Sequence, residues 1–176
     1  MSWTQFIMDV LKFTIPAALV VAAVYVLLQK FFENEEKKRY YELRNNTQKS
    51  ILPIRLQAYE RLTLLLERLS VNNLILRVKK PGMSAADLMG SLLSEIRAEF
   101  DHNLSQQIYI SHEAWQYVTN GKEALIKLIN ISYSSLPQGA SSMDLSKAIF
   151  ENAMKEDYPA TYKALLYIKK EAQELF

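Results

Sequence analysis

A chain of 176 residues, with 21 basic and 19 acidic side chains and a formal net charge of +2, has length for one domain and an appendage. The near balance of charge supplies no whole-chain field toward nucleic acid or an acidic substrate. Zero cysteines exclude disulfides, thiolate zinc sites and iron–sulfur ligation, and the few breakers, four glycines and five prolines, favour long helices.

The first element is apolar. Phe13 through Leu28 carries no charge, yet falls short of the ~20 residues that span hydrocarbon. Extending the run to Val10 and Phe32 supplies the length and encloses Lys12 and Lys30. These lysines lie about 27 Å apart along a helix, so both ammonium groups can reach opposite interfaces while their stems stay in lipid. Pro16 falls near the helix start, where its missing N–H does least harm. Trp3, Phe6, Ile7, Val10 and Leu11 recur at helical spacing and, with Asp9 and Lys12, predict an interfacial turn before the span. Trp3, Lys12 and Lys30 are the expected interface anchors. A buried hairpin helix is the soluble alternative. A cleaved signal peptide is disfavoured, because Gln29-Lys30-Phe31-Phe32 offers no small-residue cleavage site.

Lys30, Lys37, Lys38, Arg39, Arg44 and Lys49 follow the span, whereas Lys12 alone precedes it. The positive-inside rule then places the C-terminal part in the cytoplasm. Ala18 and Ala22 form a small-xxx-small pair through which two spans can approach, a hint of a homo-oligomer.

Residues 33–50 lack a sustained apolar face. Glu33–Lys37 and Glu35–Arg39 are favourable i,i+4 pairs, which predicts a charged, solvated helical stem. Its basic side chains can also meet anionic headgroups. Ser50 can cap a new helix beginning near Ile51, with Pro53 in its first turn. Ala58, Leu62, Leu65, Leu66 and Leu69 trace the core seam of that helix. Ser70-Val71-Asn72-Asn73 interrupts it. Leu74–Val78 is too short for periodicity to separate a helical turn from an extended piece, and Lys79-Lys80-Pro81-Gly82 is a turn.

Ser84 with Asp87 three residues on is a near relative of the capping box. Leu88, Leu92, Leu93, Ile96, Phe100 and Leu104 follow on one face, and the helix end lies either near Asn103 or at Ile108. Ser111 can cap a helix with Trp115, Val118, Leu125, Leu128 and Ile129 inward. Residues 134–141 are a loop, and Ser142 precedes a helix carrying Leu145, Ile149, Phe150 and Ala153. Asp157-Tyr158-Pro159 marks the entry to the last helix, with Pro159 near its first position and Thr161, Leu165, Ile168, Ala172 and Leu175 as its stripe. The expected fold is all-α: residues 1–32 an interfacial turn plus membrane anchor, 33–50 a charged stem, and 51–176 an up-and-down bundle of four to five amphipathic helices.

Chemistry is sparse. Glu99-Phe-Asp-His102 has the Glu-x-x-His spacing that puts two metal ligands on one helix face, and Glu95 sits one turn earlier. A di-metal bundle needs a second such pair, and His112-Glu113-Ala-Trp-Gln116 lacks the second His of a zincin. No nucleophile elbow and no phosphate-binding glycine loop occurs, and paired lysines at 79–80 and 169–170 are no nucleic-acid stripe. Tyr40, Tyr41, Tyr109, Tyr117 and Tyr133 suit either a recognition surface or packed rings with hydroxyls at the domain edge. Arg55, Gln57, Tyr59, Glu60, Arg61, Glu67 and Arg68 surround the leucine seam with more polar groups than solubility asks. They form a candidate partner-binding face, weighed against plain interhelical ion pairing.

The strings Ile54-Arg-Leu-Gln-Ala-Tyr-Glu-Arg-Leu62, Asn73-Leu-Ile-Leu-Arg77 and Glu99-Phe-Asp-His-Asn-Leu-Ser-Gln-Gln-Ile-Tyr-Ile-Ser111, with the N-terminal span, carry a resemblance. The chain resembles a family of small bacterial membrane-anchored proteins of unknown function. Val71 stands where that family leads one to expect proline. The resemblance implies bacterial origin and this architecture, and transfers no catalytic residue. The resulting expectation is a non-enzymatic, single-pass protein of the bacterial inner membrane, needing no cofactor and acting as a scaffold or interaction module. Its expected partners are the bilayer, a protein and a second copy of the chain, with no nucleic acid. The alternatives are a metal-binding or enzymatic bundle centred on Glu95, Glu99 and His102, and a lipid-surface sensor using the stem.

Overall fold

The computed structural model describes residues 3–155 and 159–175, with side chains outside 4–6, 9–11, 13, 17 and 43–48. Six α-helices and one 3₁₀ turn follow one another among these residues: α1 (Trp3–Arg68), α2 (Val71–Val78), α3 (Ala85–Asn103), the turn Leu104–Ile108, α4 (His112–Ser134), α5 (Ser142–Ala153) and α6 (Ala160–Gln173). By internal contacts the chain divides into two units, Met1–Ser50 and Ile51–Phe176.

No new helix starts after Ser50, contrary to the expectation from its capping ability; α1 runs through it. Pro16 and Pro53 lie inside α1, and each withdraws only one N–H from the ladder. The helix formers after Pro53, among them Leu56, Gln57 and Ala58, sustain the turns beyond it. Termination comes at Leu69–Ser70, where the Glu67 carbonyl accepts from the Ser70 backbone N–H at 3.2 Å, the Ser70 hydroxyl at 2.7 Å and Asn73 Nδ2 at 2.9 Å. Three donors on one carbonyl satisfy the helix end and free the chain to turn. The interruption is therefore shorter than residues 70–73, and Leu74–Val78 is helical, with Leu74 and Ile75 buried.

In the unit Ile51–Phe176 the seam side chains of α1 (Ala58, Leu62, Leu65, Leu66 and Leu69) are buried. Leu88, Leu92, Ile96 and Phe100 of α3, Val118, Leu125 and Ile129 of α4, Leu145 and Ile149 of α5, and Leu165 and Ile168 of α6 complete the core. Leu104 leaves that face and is 44% exposed. After Asn103 the backbone tightens to a 3₁₀ turn, and three residues per turn rotate Leu104 off the 3.6-residue stripe. Helix α4 pairs extensively with α6. The two helices approach closely at Gly121, where an added Cβ would sit 3.3 Å from the Thr161 Cα.

The openings of α3 and α5 share one local design. Gly82 and Gly139 both take φ +81°, and each precedes a capping serine by two residues. Ser84 accepts from the Asp87 N–H and returns its own N–H to the Asp87 carboxylate; Ser141 and Asp144 do the same. Ser141 is the cap, so Ser142 is the first helical residue rather than the residue before it. The sequence behind both is Gly-x-Ser-x-x-Asp-Leu, at 82–88 and again at 139–145. The two segments face each other in an antiparallel bridge, with Ala85 N–H donating to the Ala140 carbonyl at 3.0 Å and Ser142 N–H to the Met83 carbonyl at 3.2 Å. Pro159 is the N-cap of α6, one position before its first helical residue, and Asp157 and Tyr158 lie outside the described residues.

Candidate functional site

Two polar clusters and one recess gather several of the side chains singled out from the sequence. The first cluster joins α1, α2 and α3 at Glu99. Its Oε1 accepts from Arg68 Nε and from Arg77 Nη1, each at 2.7 Å, and Arg68 Nη2 closes on the same oxygen. Arg77 Nη2 reaches Glu95 at 3.3 Å. Burial favours the neutral acid at Glu99, but the hydrogen bonds from Arg68 and Arg77 outweigh it and hold the carboxyl below its ordinary range. Helical spacing brings Glu95, Glu99 and His102 to one side of α3. Glu99 is nevertheless committed to two guanidiniums, and among the described residues no group of three histidine, aspartate or glutamate side chains is placed to hold a metal ion.

The second cluster lies where α1 meets α6 and the start of α4. Tyr59 is only 2% exposed, so it is a core side chain rather than part of an outward face. Its hydroxyl donates to Glu171 Oε1 at 2.6 Å and accepts from Arg55 Nη2 at 3.2 Å. Glu171 also accepts from the Ser111 N–H at 3.0 Å and, through Oε2, from the Ser111 hydroxyl at 2.5 Å. Arg55 Nε donates to the Tyr109 carbonyl at 3.1 Å. Burial, followed by the bond to Glu171, pushes the Tyr59 phenol up to about 12. For Glu171, burial opposes ionisation, yet the Ser111 and Tyr59 donors more than offset it and the carboxyl is held low. No local pattern marks Glu171, Arg77 or Lys169 as a member of these clusters. Only the Ser111 cap was legible, and its hydroxyl does accept from the Ala114 N–H at 3.0 Å.

The seven residues of the candidate partner face therefore separate. Arg55, Tyr59 and Arg68 are engaged in these clusters, and Glu67 meets Lys169 at 3.5 Å. Gln57, Glu60 and Arg61 remain exposed. An open recess of about 540 Å³ lies between residues 61–68 of α1 and the α3 segment 95–103. Arg61, Leu64 and Arg68 line one side, and Ala98, Glu99 and His102 line the other.

The tyrosines also divide. Tyr117 stacks on Tyr167 with ring centroids 4.4 Å apart, and a hydrogen bond to Glu113 together with burial raises the Tyr167 phenol to about 12. Tyr133 is half-buried against the core. Tyr40 and Tyr41 stay exposed and meet edge to face at 6.1 Å.

In the unit Met1–Ser50, the stretch Thr14–Glu42 of α1 is long and apolar enough to cross a membrane, and none of its most apolar window is buried within the protein. Trp3, Lys12 and Lys30 are exposed, as are Ala18 and Ala22. The side chains of Phe6, Asp9, Val10, Leu11 and Arg44 lie outside the described residues.

No curated protein and no solved structure matches the chain. A family of unknown function, DUF7935, matches residues 5–175, which is nearly the whole sequence, and the chain belongs to that family.

Proposed function

We propose that this protein is a non-enzymatic, membrane-anchored interaction module of the bacterial cell membrane. In this reading one span, residues 10–32, crosses the bilayer, and residues 33–176 lie in the cytoplasm as a charged stem and an up-and-down bundle. The observation that carries it is the most apolar window of Thr14–Glu42, none of which is buried within the protein. A buried hairpin helix of a soluble protein would have its apolar side chains covered, whereas Val20, Val21, Leu27 and Phe32 are each more than half exposed. Exposed Lys12 and Lys30 suit the two interfaces, and the basic residues after the span suit a cytoplasmic side. The interaction role is supported by how the ionisable groups are used. Glu99 and Glu171 tie helices together, which leaves the outer faces of the bundle as the surface available to a partner.

The cysteine-free chain makes the test direct. Single cysteines are placed at Met8 and at Gln57, and intact cells are treated with a membrane-impermeant maleimide. Met8→Cys is expected to react from outside, while Gln57→Cys reacts only after lysis, and the protein resists carbonate extraction. Labelling of Gln57→Cys from outside, or release by carbonate, overturns the anchoring and orientation. Cross-linking in membranes followed by mass spectrometry is expected to join residues 51–176 to a second protein. Cross-links confined to the chain itself overturn the interaction role.

A further inference from the structure

We propose that the span pairs with itself: residues 14–29 of α1 carry a polar face on which a second copy of this chain packs, parallel to the first. The inference rests on the membrane-anchored reading and names one partner for it. At about 100° per residue, Thr14, Ala18, Ala22, Tyr25 and Gln29 fall within about 80° of arc on α1. They include every hydroxyl- or amide-bearing side chain between Lys12 and Lys30. Val20, Val24, Leu27 and Phe31 occupy the opposite side. Both lysines fall about 120° from Ala18, so pairing through the polar face keeps the ammonium groups of two copies apart.

The polar groups on this face are joined and directed inward. Gln29 Nε2 donates to the Tyr25 hydroxyl at 2.9 Å, one turn back toward the middle of the span. That bond holds the amide below the interface, away from the water that would otherwise satisfy it. The second amide N–H and the carbonyl oxygen of Gln29 are engaged by no described residue. Hydrocarbon offers such groups no partner, which leaves them to another span.

A second copy fits the face better than an unrelated span. Two copies are inserted in the same direction by the same basic flank, which brings their Gln29 residues to one depth. An amide is donor and acceptor at once, so it pairs with its own image across a two-fold axis. Between the polar groups, Ala18 and Ala22 extend no further than Cβ and let two backbones approach. The positions 18, 22, 25 and 29 step 4, 3, 4, the heptad spacing of a left-handed pair crossing at about 20°.

Single cysteines at Ala18, Ala22, Val20 and Leu27 of the full chain are oxidised with copper phenanthroline in native membranes. A disulfide-linked species of twice the chain mass is expected from Ala18→Cys and Ala22→Cys, and not from Val20→Cys or Leu27→Cys. In phosphatidylcholine vesicles, Förster transfer between labelled copies should fall on dilution with lipid. Gln29→Leu should move that dilution curve about three- to tenfold toward dissociation. Ala22→Phe should abolish the transfer, whereas Val20→Phe leaves it unchanged. All three exchanges keep the span apolar, so insertion is preserved, and resistance to carbonate checks it. Equal cross-linking from both faces, a cross-linked species of any other mass, or indifference to Gln29→Leu and Ala22→Phe overturns the proposal. If the chain resists carbonate but stays monomeric, self-pairing fails and the anchoring stands; release by carbonate removes both.

Discussion

Tyr59 and Glu171, 112 positions apart in the sequence, meet at 2.6 Å, and the phenol that donates is almost completely buried. This bond, with the Ser111 bonds to the same carboxylate, ties α1, the start of α4 and α6 to one point. Tyr59→Phe keeps the ring packing and removes only the donor. Because the acceptor is charged, a loss of about 1.5–3 kcal/mol is expected in urea unfolding of the full chain in micelles. The folded Tyr59 phenol titrates near 12, above its ordinary 10. Its contribution is therefore complete below pH 10 and lost as pH rises through the folded value. Stability should fall less steeply between pH 10 and 12 in Tyr59→Phe than in the native chain, with Tyr167 supplying the remaining slope. An unchanged alkaline limb refutes this assignment.

Acid should act through Glu99 and Glu171. Both folded carboxyls lie below the ordinary glutamate value of 4.5, so their stabilisation is present above that pH and is lost as pH falls through the lower folded values. Thermal midpoints are expected to stay flat from neutrality to about pH 5 and then decline. Replacing both residues by glutamine should lower the plateau and flatten the decline. Glu99→Gln alone should cost about 1–2 kcal/mol, a modest figure because Arg68 is half exposed and solvent screens its share.

The paired openings of α3 and α5 give matched expectations. Ser84→Ala and Ser141→Ala each remove a side chain that accepts from the third helical N–H, and each should cost about 1 kcal/mol. Gly82→Ala and Gly139→Ala meet nothing within 4 Å of the new Cβ, so their cost is backbone strain at φ +81°, about 1–2 kcal/mol. Because Ser84 and Ser141 face each other in one bridge, the double serine variant should be non-additive in a denaturation cycle.

Gly121 is a different kind of glycine. Its helix is regular, and the constraint is the Thr161 backbone on α6, 3.3 Å from any added Cβ. Gly121→Leu should force α4 and α6 apart at a cost of about 1–3 kcal/mol, whereas Gly90→Leu, with open space around it, should be neutral or stabilising. Similar midpoints for these two variants would refute the close approach.

What the sequence determined by itself was local. The apolar run from Val10 to Phe32, the Ser84–Asp87 and Ser111 caps and the leucine faces of α1 and α3 are set by side chains within a turn or two of each other, and periodicity reads such contacts directly. Of the two Gly-x-Ser-x-x-Asp-Leu segments only the Ser84 cap was legible; Ser141 as a cap and the positive φ of Gly82 and Gly139 came from the structure. Tertiary structure decided the rest. Whether Ser50 began a helix depended on the turns on both sides sustaining the ladder through Pro53. Whether Tyr59 faced solvent depended on a glutamate 112 residues away, and the fate of Glu99 depended on Arg68 and Arg77 arriving from two other helices. A carboxylate reads the same in sequence whether it is open to a ligand or already held by two guanidiniums. Only packing brings the guanidiniums within 3 Å of it.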